Sequence, residues 1–170
     1  TVRRKYLSLV QQHTKRDTIL YSTAWTQPAI DVPASFLSIT DEDLQVLMEV
    51  IHGLKGPDLD LILHSPGGSP EAAEAVVSYL RSKFSHIRVI VPNLAMSAAT
   101  MVACSANAIV LGKHSFLGPI DPQLVGVGGR GTPAQAILDQ FSLAKEECKK
   151  DPSVLGAWLP MLGQYGPALL

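Results

Sequence analysis

Two short turns carry the groups of this 170-residue sequence that are best suited to chemistry. Gly67 and Gly68 end the first turn, and glycine lets backbone N–H groups approach a ligand without a Cβ in the way. Ser97 lies in the second turn, at the start of an apolar helical segment whose first N–H groups are unpaired. A nucleophilic hydroxyl facing oxyanion donors is the arrangement that acyl transfer requires. Serine is also a common helix N-cap, so the same residue suits a purely structural role.

Each turn follows an apolar run with the length of a buried parallel strand, residues 59–63 and 87–91. Thr40, before the first run, and Ser69, between the two runs, have the neighbours typical of helix N-caps. Ligands of open α/β sheets gather at the carboxyl ends of the strands, so both turns are expected at that edge. The sequence therefore predicts an α/β fold with a mostly parallel sheet and flanking helices.

The chain is expected to form a single domain over residues 1–170, because this length with 46% hydrophobic residues can bury a sizeable core. Within it we predict an N-terminal amphipathic helix over residues 1–16, a core over residues 40–125 and a C-terminal helix over residues 132–150. The apolar residues expected to pack inward are Val2, Tyr6, Leu9 and Val10 on the first helix, and Ile137, Leu138, Phe141, Ala144 and Cys148 on the last.

The formal net charge of −1 provides no basic surface, so a nucleic-acid partner is not expected. Cys104 and Cys148 have neither zinc-site nor redox-pair spacing, and we expect both to be reduced thiols within the core. We expect no cofactor and no metal.

Residues 89–112 carry no charged side chain and are long enough to span a membrane. Proline, asparagine and serine interrupt the segment, so strand, turn, helix and strand are predicted instead of a span. The first residues do not form a signal-peptide pattern. We expect a cytoplasmic protein, with membrane association only if a longer chain carries an anchor.

Three motifs in order along the chain resemble the Clp-protease and signal-peptide-peptidase superfamily, whose fold is the ClpP/crotonase fold. They are residues 61–68 (LILHSPGG), 95–100 (AMSAAT) and 118–123 (GPIDPQ). Within the superfamily, the chain is most similar to the serine dehydrogenase proteinase branch. The resemblance covers about residues 59–123.

The resemblance implies a spiral of β-β-α units that associates with copies of itself. It also implies that Ser97 is the nucleophile and that the N–H groups of Gly68 and Ala98 form the oxyanion hole, supported by Gly67. A side chain added at Gly68 is then expected to crowd the substrate groove.

The general base is where this sequence departs from its relatives. The resemblance implies the order serine, aspartate, histidine, but no histidine follows Asp121, and an isoleucine occupies the place of the histidine of the Clp subunit. The candidates are Lys145, on an apolar face of the last helix, His114, beyond the strand that follows the nucleophile helix, and Lys113 beside it. Asp121 is expected to brace the turn before Pro122 or to orient the base.

These observations favour a serine peptidase that cleaves extended peptides through an acyl-enzyme on Ser97. One alternative is a crotonase-like acyl-thioester enzyme, which would use the paired N–H groups without the serine. Another is an inactive, peptidase-shaped oligomer that acts as a scaffold. The partners expected are a peptide or protein substrate and further copies of the chain.

Overall fold

The computed structural model describes residues 1–27, 31–125 and 131–163, which belong to two units, Thr1–Ile120 and Asp121–Leu170. The first unit contains α1 (Val2–Thr14), β1 (Asp17–Ser22), a 3-10 turn (Ala34–Leu37), α2 (Asp41–Ile51), β2 (Asp58–His64), α3 (Pro70–Lys83), β3 (His86–Val91), β4 (Leu94–Ala95), α4 (Ala98–Cys104), β5 (Ala108–Leu111) and β6 (Phe116–Leu117). The second contains β7 (Gln123–Val125), β8 (Gly131–Pro133), α5 (Ala134–Lys150), a 3-10 turn (Pro152–Val154) and α6 (Leu155–Leu162). The expectation of a single domain stays a prediction.

The first unit is built on a four-stranded parallel sheet with the order β1-β2-β3-β5. Neighbours in the sheet follow one another in the chain, and right-handed crossovers then bring every connecting helix to the same face. Buried residues of α2, α3 and α4 accordingly form one core with alternate residues of the strands. Short second strands or single bridges follow β2, β3 and β5, so the expected α/β spiral of β-β-α units is confirmed.

The opposite face of the sheet is covered only in part, because α1 borders a groove against Leu20 and Ile62. Leu20, Ile62, Ile90 and Val110 form one register row across its four strands. Leu20 is 37% exposed and Val110 is 45% exposed, and the two central residues are half-buried. We call these four residues the open-face row.

Local sequence signals for the helix starts are confirmed. Thr40 and Asp43 form a capping box at the start of α2. The Ser69 side chain accepts a hydrogen bond from Ala72 N at the start of α3, where Pro70 is the first residue.

Helix α1 forms as predicted, and most of its predicted apolar stripe borders the sheet. Val2, Tyr6 and Val10 line a groove together with Leu7 and two residues of the open-face row. Leu7 and Val10 are half-buried, whereas Val2, Tyr6 and Leu9 stay exposed, so the packing is shallower than predicted.

Two further burial predictions need correction. Cys104 is exposed, because α4 packs on the core through Ala99, Val102 and Ala103 instead. Cys148 is only half-buried. Leu138 is 45% exposed, since the inward spacing on α5 runs through Ile137 and Ala144, both buried. Among the described residues, no helix is both long and apolar enough to cross a membrane.

A buried carboxylate ties three segments together at the amino ends of the strands. Asp60 is fully buried and accepts hydrogen bonds from Arg16 Nε at 2.7 Å and from Arg88 Nη2 at 2.6 Å. Arg16 also reaches Asp58 Oδ2 at 3.1 Å, but the side chain of Asp58 is 43% exposed. A charge without solvent depends on its partners far more than a charge in contact with water does.

Asp60→Asn should therefore destabilise the protein by about 3–5 kcal/mol, because two buried arginine contacts lose their counter-charge. Asp58→Asn is the matched control and should cost about 0–1 kcal/mol. Urea unfolding of both variants measures the difference. Equal losses at the two positions would contradict the role assigned to burial.

Candidate active site

The two turns identified from the sequence lie against each other. Ser65 and Ala95 form a parallel bridge, with Ser65 N bonded to Leu94 O at 3.1 Å and Met96 N bonded to Ser65 O at 3.0 Å. Two residues further along both segments, Gly67 lies beside Ser97. The parallel register therefore brings the glycine turn to the serine.

Gly67 is the closest point of this approach. A Cβ on Gly67 would lie 2.7 Å from Ser97 Cβ and 3.0 Å from Ala98 N, and the residue has φ +98°, which disfavours other side chains. Its N–H donates to the buried Ser65 Oγ at 3.1 Å. A glycine at this position is thus required by both space and backbone conformation.

Gly68 forms a parallel bridge with Ile39. Ile39 N donates to Gly67 O at 2.7 Å, and Ser69 N donates to Ile39 O at 2.9 Å. In this parallel pairing, the N–H group of Gly68 points away from Ile39, and it makes no hydrogen bond within the described chain. A side chain on Gly68 would collide with the Ile39 backbone, so the expectation that it would crowd the groove is wrong.

Ile39 is itself held by the start of α2. Asp43 Oδ2 accepts hydrogen bonds from Thr40 N at 2.8 Å and from the Tyr21 hydroxyl at 3.0 Å. Burial first, and then the Asp43 charge, raises the pKa of Tyr21 above its usual range, so its hydroxyl stays a neutral donor. The capping box therefore also fixes the strand partner of the glycine turn. This role of Ile39 was missed, because a lone apolar residue before a cap carries no distinctive signal.

Ser97 has an unusual backbone. Its φ of 50° and ψ of −123° lie in a region that residues with side chains rarely adopt, at a cost of about 1–3 kcal/mol. Its side chain makes no cap hydrogen bond to α4, in contrast to Ser69 on α3. The hydroxyl is partly exposed and unbonded within the described residues, so helix capping does not account for this serine.

Ala98 supplies the second unpaired N–H group beside the serine. It is the first residue of α4 and is 1% exposed, and its N–H makes no hydrogen bond to any described residue. Gly68 and Ala98 thus each offer a backbone donor on either side of the contact between Gly67 and Ser97. Two such donors can stabilise a developing oxyanion.

The candidate bases do not contact the serine within the first unit. His114 is exposed in the turn after β5, a turn closed by Ser115 Oγ, and it makes no hydrogen bond to a described residue. Asp121 and Lys145 belong to the second unit, where both are exposed. Lys145 borders a groove on α5 together with Leu138 and Phe141, which agrees with the predicted helical face. The roles of these three residues stay predictions.

Comparison with curated proteins finds two uncharacterised proteins of Methanocaldococcus jannaschii. One is 40% identical over 87 residues, which cover 51% of this chain and 30% of the relative. The other is 32% identical over 119 residues, which cover 69% of this chain and 39% of the relative. The matched part of the chain thus spans well under half the length of either relative.

Solved structures that are similar to this chain include two proteases. A membrane-bound stomatin-specific protease in complex with a substrate peptide covers 66% of this chain and 55% of its own, at 18% identity and a TM-score of 0.48. The ClpP protease catalytic domain from Plasmodium falciparum covers 59% of this chain and 57% of its own, at 16% identity and a TM-score of 0.41.

The family model matches the sequence over most of its length. It describes the ClpP-like SDH-type serine proteinases and aligns with residues 4–157, which include both turns and the candidate bases. The chain therefore belongs to the family of ClpP-like SDH-type serine proteinases.

Proposed function

We propose that this protein is a serine peptidase in which Ser97 attacks the carbonyl carbon of a peptide bond. The observation that carries the proposal is the strained backbone of Ser97 together with a hydroxyl that makes no hydrogen bond to a described residue. Strain of this kind persists only where surrounding structure enforces it, and it clusters at functional sites. A sharp turn that exposes a serine is also the geometry of nucleophile elbows in other hydrolases. Membership of a serine proteinase family supports the same conclusion.

The reaction follows from the groups around the serine. The Ser97 oxygen bonds to the carbonyl carbon, the π electrons move to the carbonyl oxygen, and the hydroxyl proton passes to a base. The N–H groups of Gly68 and Ala98 are proposed to stabilise the oxyanion. Collapse of the intermediate expels the amine, which takes the proton from the base, and water then hydrolyses the acyl-enzyme.

Lys145 is the proposed base, with His114 as the alternative and Asp121 as an orienting group. The placement of Lys145 beside Leu138 and Phe141 on one face of α5 supports the lysine, because it agrees with the helical face predicted for this base. Should neither residue serve, the scaffold function gains support, because Ser97 has no basic partner among the described residues of its own unit.

The proposed substrate is an extended peptide that lies as a strand beside the turn of Gly67 and Gly68. Self-association is proposed through the β5 end of the sheet face that carries the open-face row. The row ends there at Val110, which is 45% exposed and lies on an edge strand.

Ser97→Ala should abolish covalent labelling by a fluorophosphonate probe, because only a serine activated as a nucleophile reacts. It should change the free energy of unfolding by less than about 0.5 kcal/mol, since no cap bond is lost. Ser69→Ala is the matched control, which loses a real cap and should cost about 0.5–2 kcal/mol. Labelling that survives in Ser97→Ala would overturn the nucleophile assignment.

The backbone strain at Ser97 can be tested by the sign of the stability difference between a glycine and an alanine variant. Ser97→Gly should be more stable than Ser97→Ala by about 1 kcal/mol, because glycine adopts the positive φ without strain. Ser78, exposed within α3, is the control position, where glycine should be less stable than alanine by about 1 kcal/mol. Urea unfolding measures the difference between the glycine and alanine variants at each position. If the difference had the same sign at both positions, the backbone of Ser97 would not be strained.

Lys145→Met should slow labelling of Ser97 by about 100-fold to 10,000-fold, because proton transfer is lost while chain length is kept. Lys149→Met is the control, since Lys149 is exposed and paired with Glu146 at 3.1 Å. If Lys145→Met labels normally while His114→Gln fails, the histidine is the base. If the wild type labels at no pH, the scaffold function replaces the peptidase.

A further inference from the structure

The parallel pairing of β4 and β6 beside Ser97 ends one hydrogen bond before the regular pattern would. In the parallel pair β4–β6, Phe116 N donates to Asn93 O at 2.8 Å and Gly118 N donates to Ala95 O at 2.9 Å. The next bond of such a ladder would run from Ser97 N to Gly118 O. That bond is not made, because the chain turns at Ser97 into α4.

The hydroxyl of Thr100 occupies the place of the missing bond. Thr100 Oγ1 lies 3.0 Å from Gly118 O and 2.8 Å from Ala95 O, and the residue is 8% exposed. Its single hydroxyl hydrogen therefore bridges both sides of the pair from within the first turn of α4. Without it, the Gly118 carbonyl would lose its only hydrogen-bond donor among the described residues.

The segment that Thr100 holds lies against the serine turn. A Cβ on Gly118 would come within 3.0 Å of Met96 Cα, the residue directly before Ser97. Displacement of Gly118 would thus move Met96 and change the direction in which the Ser97 hydroxyl points.

We infer that Thr100 is a positioning residue, whose hydroxyl locks the end of β6 to β4 and so sets the orientation of Ser97. This inference rests on the proposed role of Ser97 as the nucleophile. Thr100 is not proposed to contact the substrate or the reacting atoms.

The test compares Thr100→Val, which keeps the shape but loses the hydroxyl, with Thr100→Ser, which keeps the hydroxyl. Ser105→Ala is the control, because its hydroxyl bonds Val102 O at the other end of the same helix. The first measurement is the rate of fluorophosphonate labelling against probe concentration. The second is amide hydrogen exchange at Gly118, which needs no activity. Thr100→Ala replaces the valine variant if that protein does not fold.

Thr100→Val should lower the maximal labelling rate by about 10-fold to 100-fold, with little change in the half-saturating concentration, because misorientation affects the chemical step. Exchange at Gly118 should become about tenfold faster. Thr100→Ser and Ser105→Ala should match the wild type in both measurements. Equal effects of the valine and serine variants, or unchanged exchange, would overturn the inference. If the wild type itself does not label, the proposed function fails, and the exchange data alone decide whether Thr100 locks the turn.

Discussion

The contact between Gly67 and Ser97 is the constraint on which the candidate site depends. Parallel pairing at Ser65 and Ala95 carries two chain segments past the edge of the sheet in register, and two residues later they touch. Any side chain at Gly67 would occupy the space of the serine Cβ. The serine must then turn sharply away into α4, which accounts for its strained backbone and for the early end of the β4–β6 ladder.

The order of the strands explains why this strain is tolerated. Consecutive parallel neighbours bring α2, α3 and α4 to one face, where they share one core with the sheet. The buried start of α4 is part of that core, so packing fixes the segment directly after Ser97. The other face carries Asp60, whose buried charge is satisfied by two arginines, and the apolar open-face row, which α1 covers in part.

Local signals were enough to predict the frame of the first unit. Apolar runs identified β2 and β3, and caps at Thr40 and Ser69 located two helix starts, because these features depend on residues near each other in the chain. The bridge between Ile39 and Gly68 depends instead on register between distant segments, which no local pattern encodes. The direction of a side chain at Gly68 was predicted wrongly for the same reason.

Burial on the helices was predicted less well. Apolar residues on α1 and α5 were assigned to one broad inward face, whereas packing selects a narrower one, leaving Tyr6 and Leu138 exposed. The strained φ of Ser97 had no sequence signal of its own, since serine at a helix start more often indicates a cap.

Trapping of the acyl-enzyme tests the central claim most directly. The full chain is mixed with an activated ester, the released leaving group is followed in time, and the quenched protein is digested for mass spectrometry. If Ser97 is the nucleophile, we expect a burst of about one leaving group per chain and an acyl adduct on the peptide that contains Ser97. An adduct on any other residue, or no burst and no adduct at any pH, would contradict it.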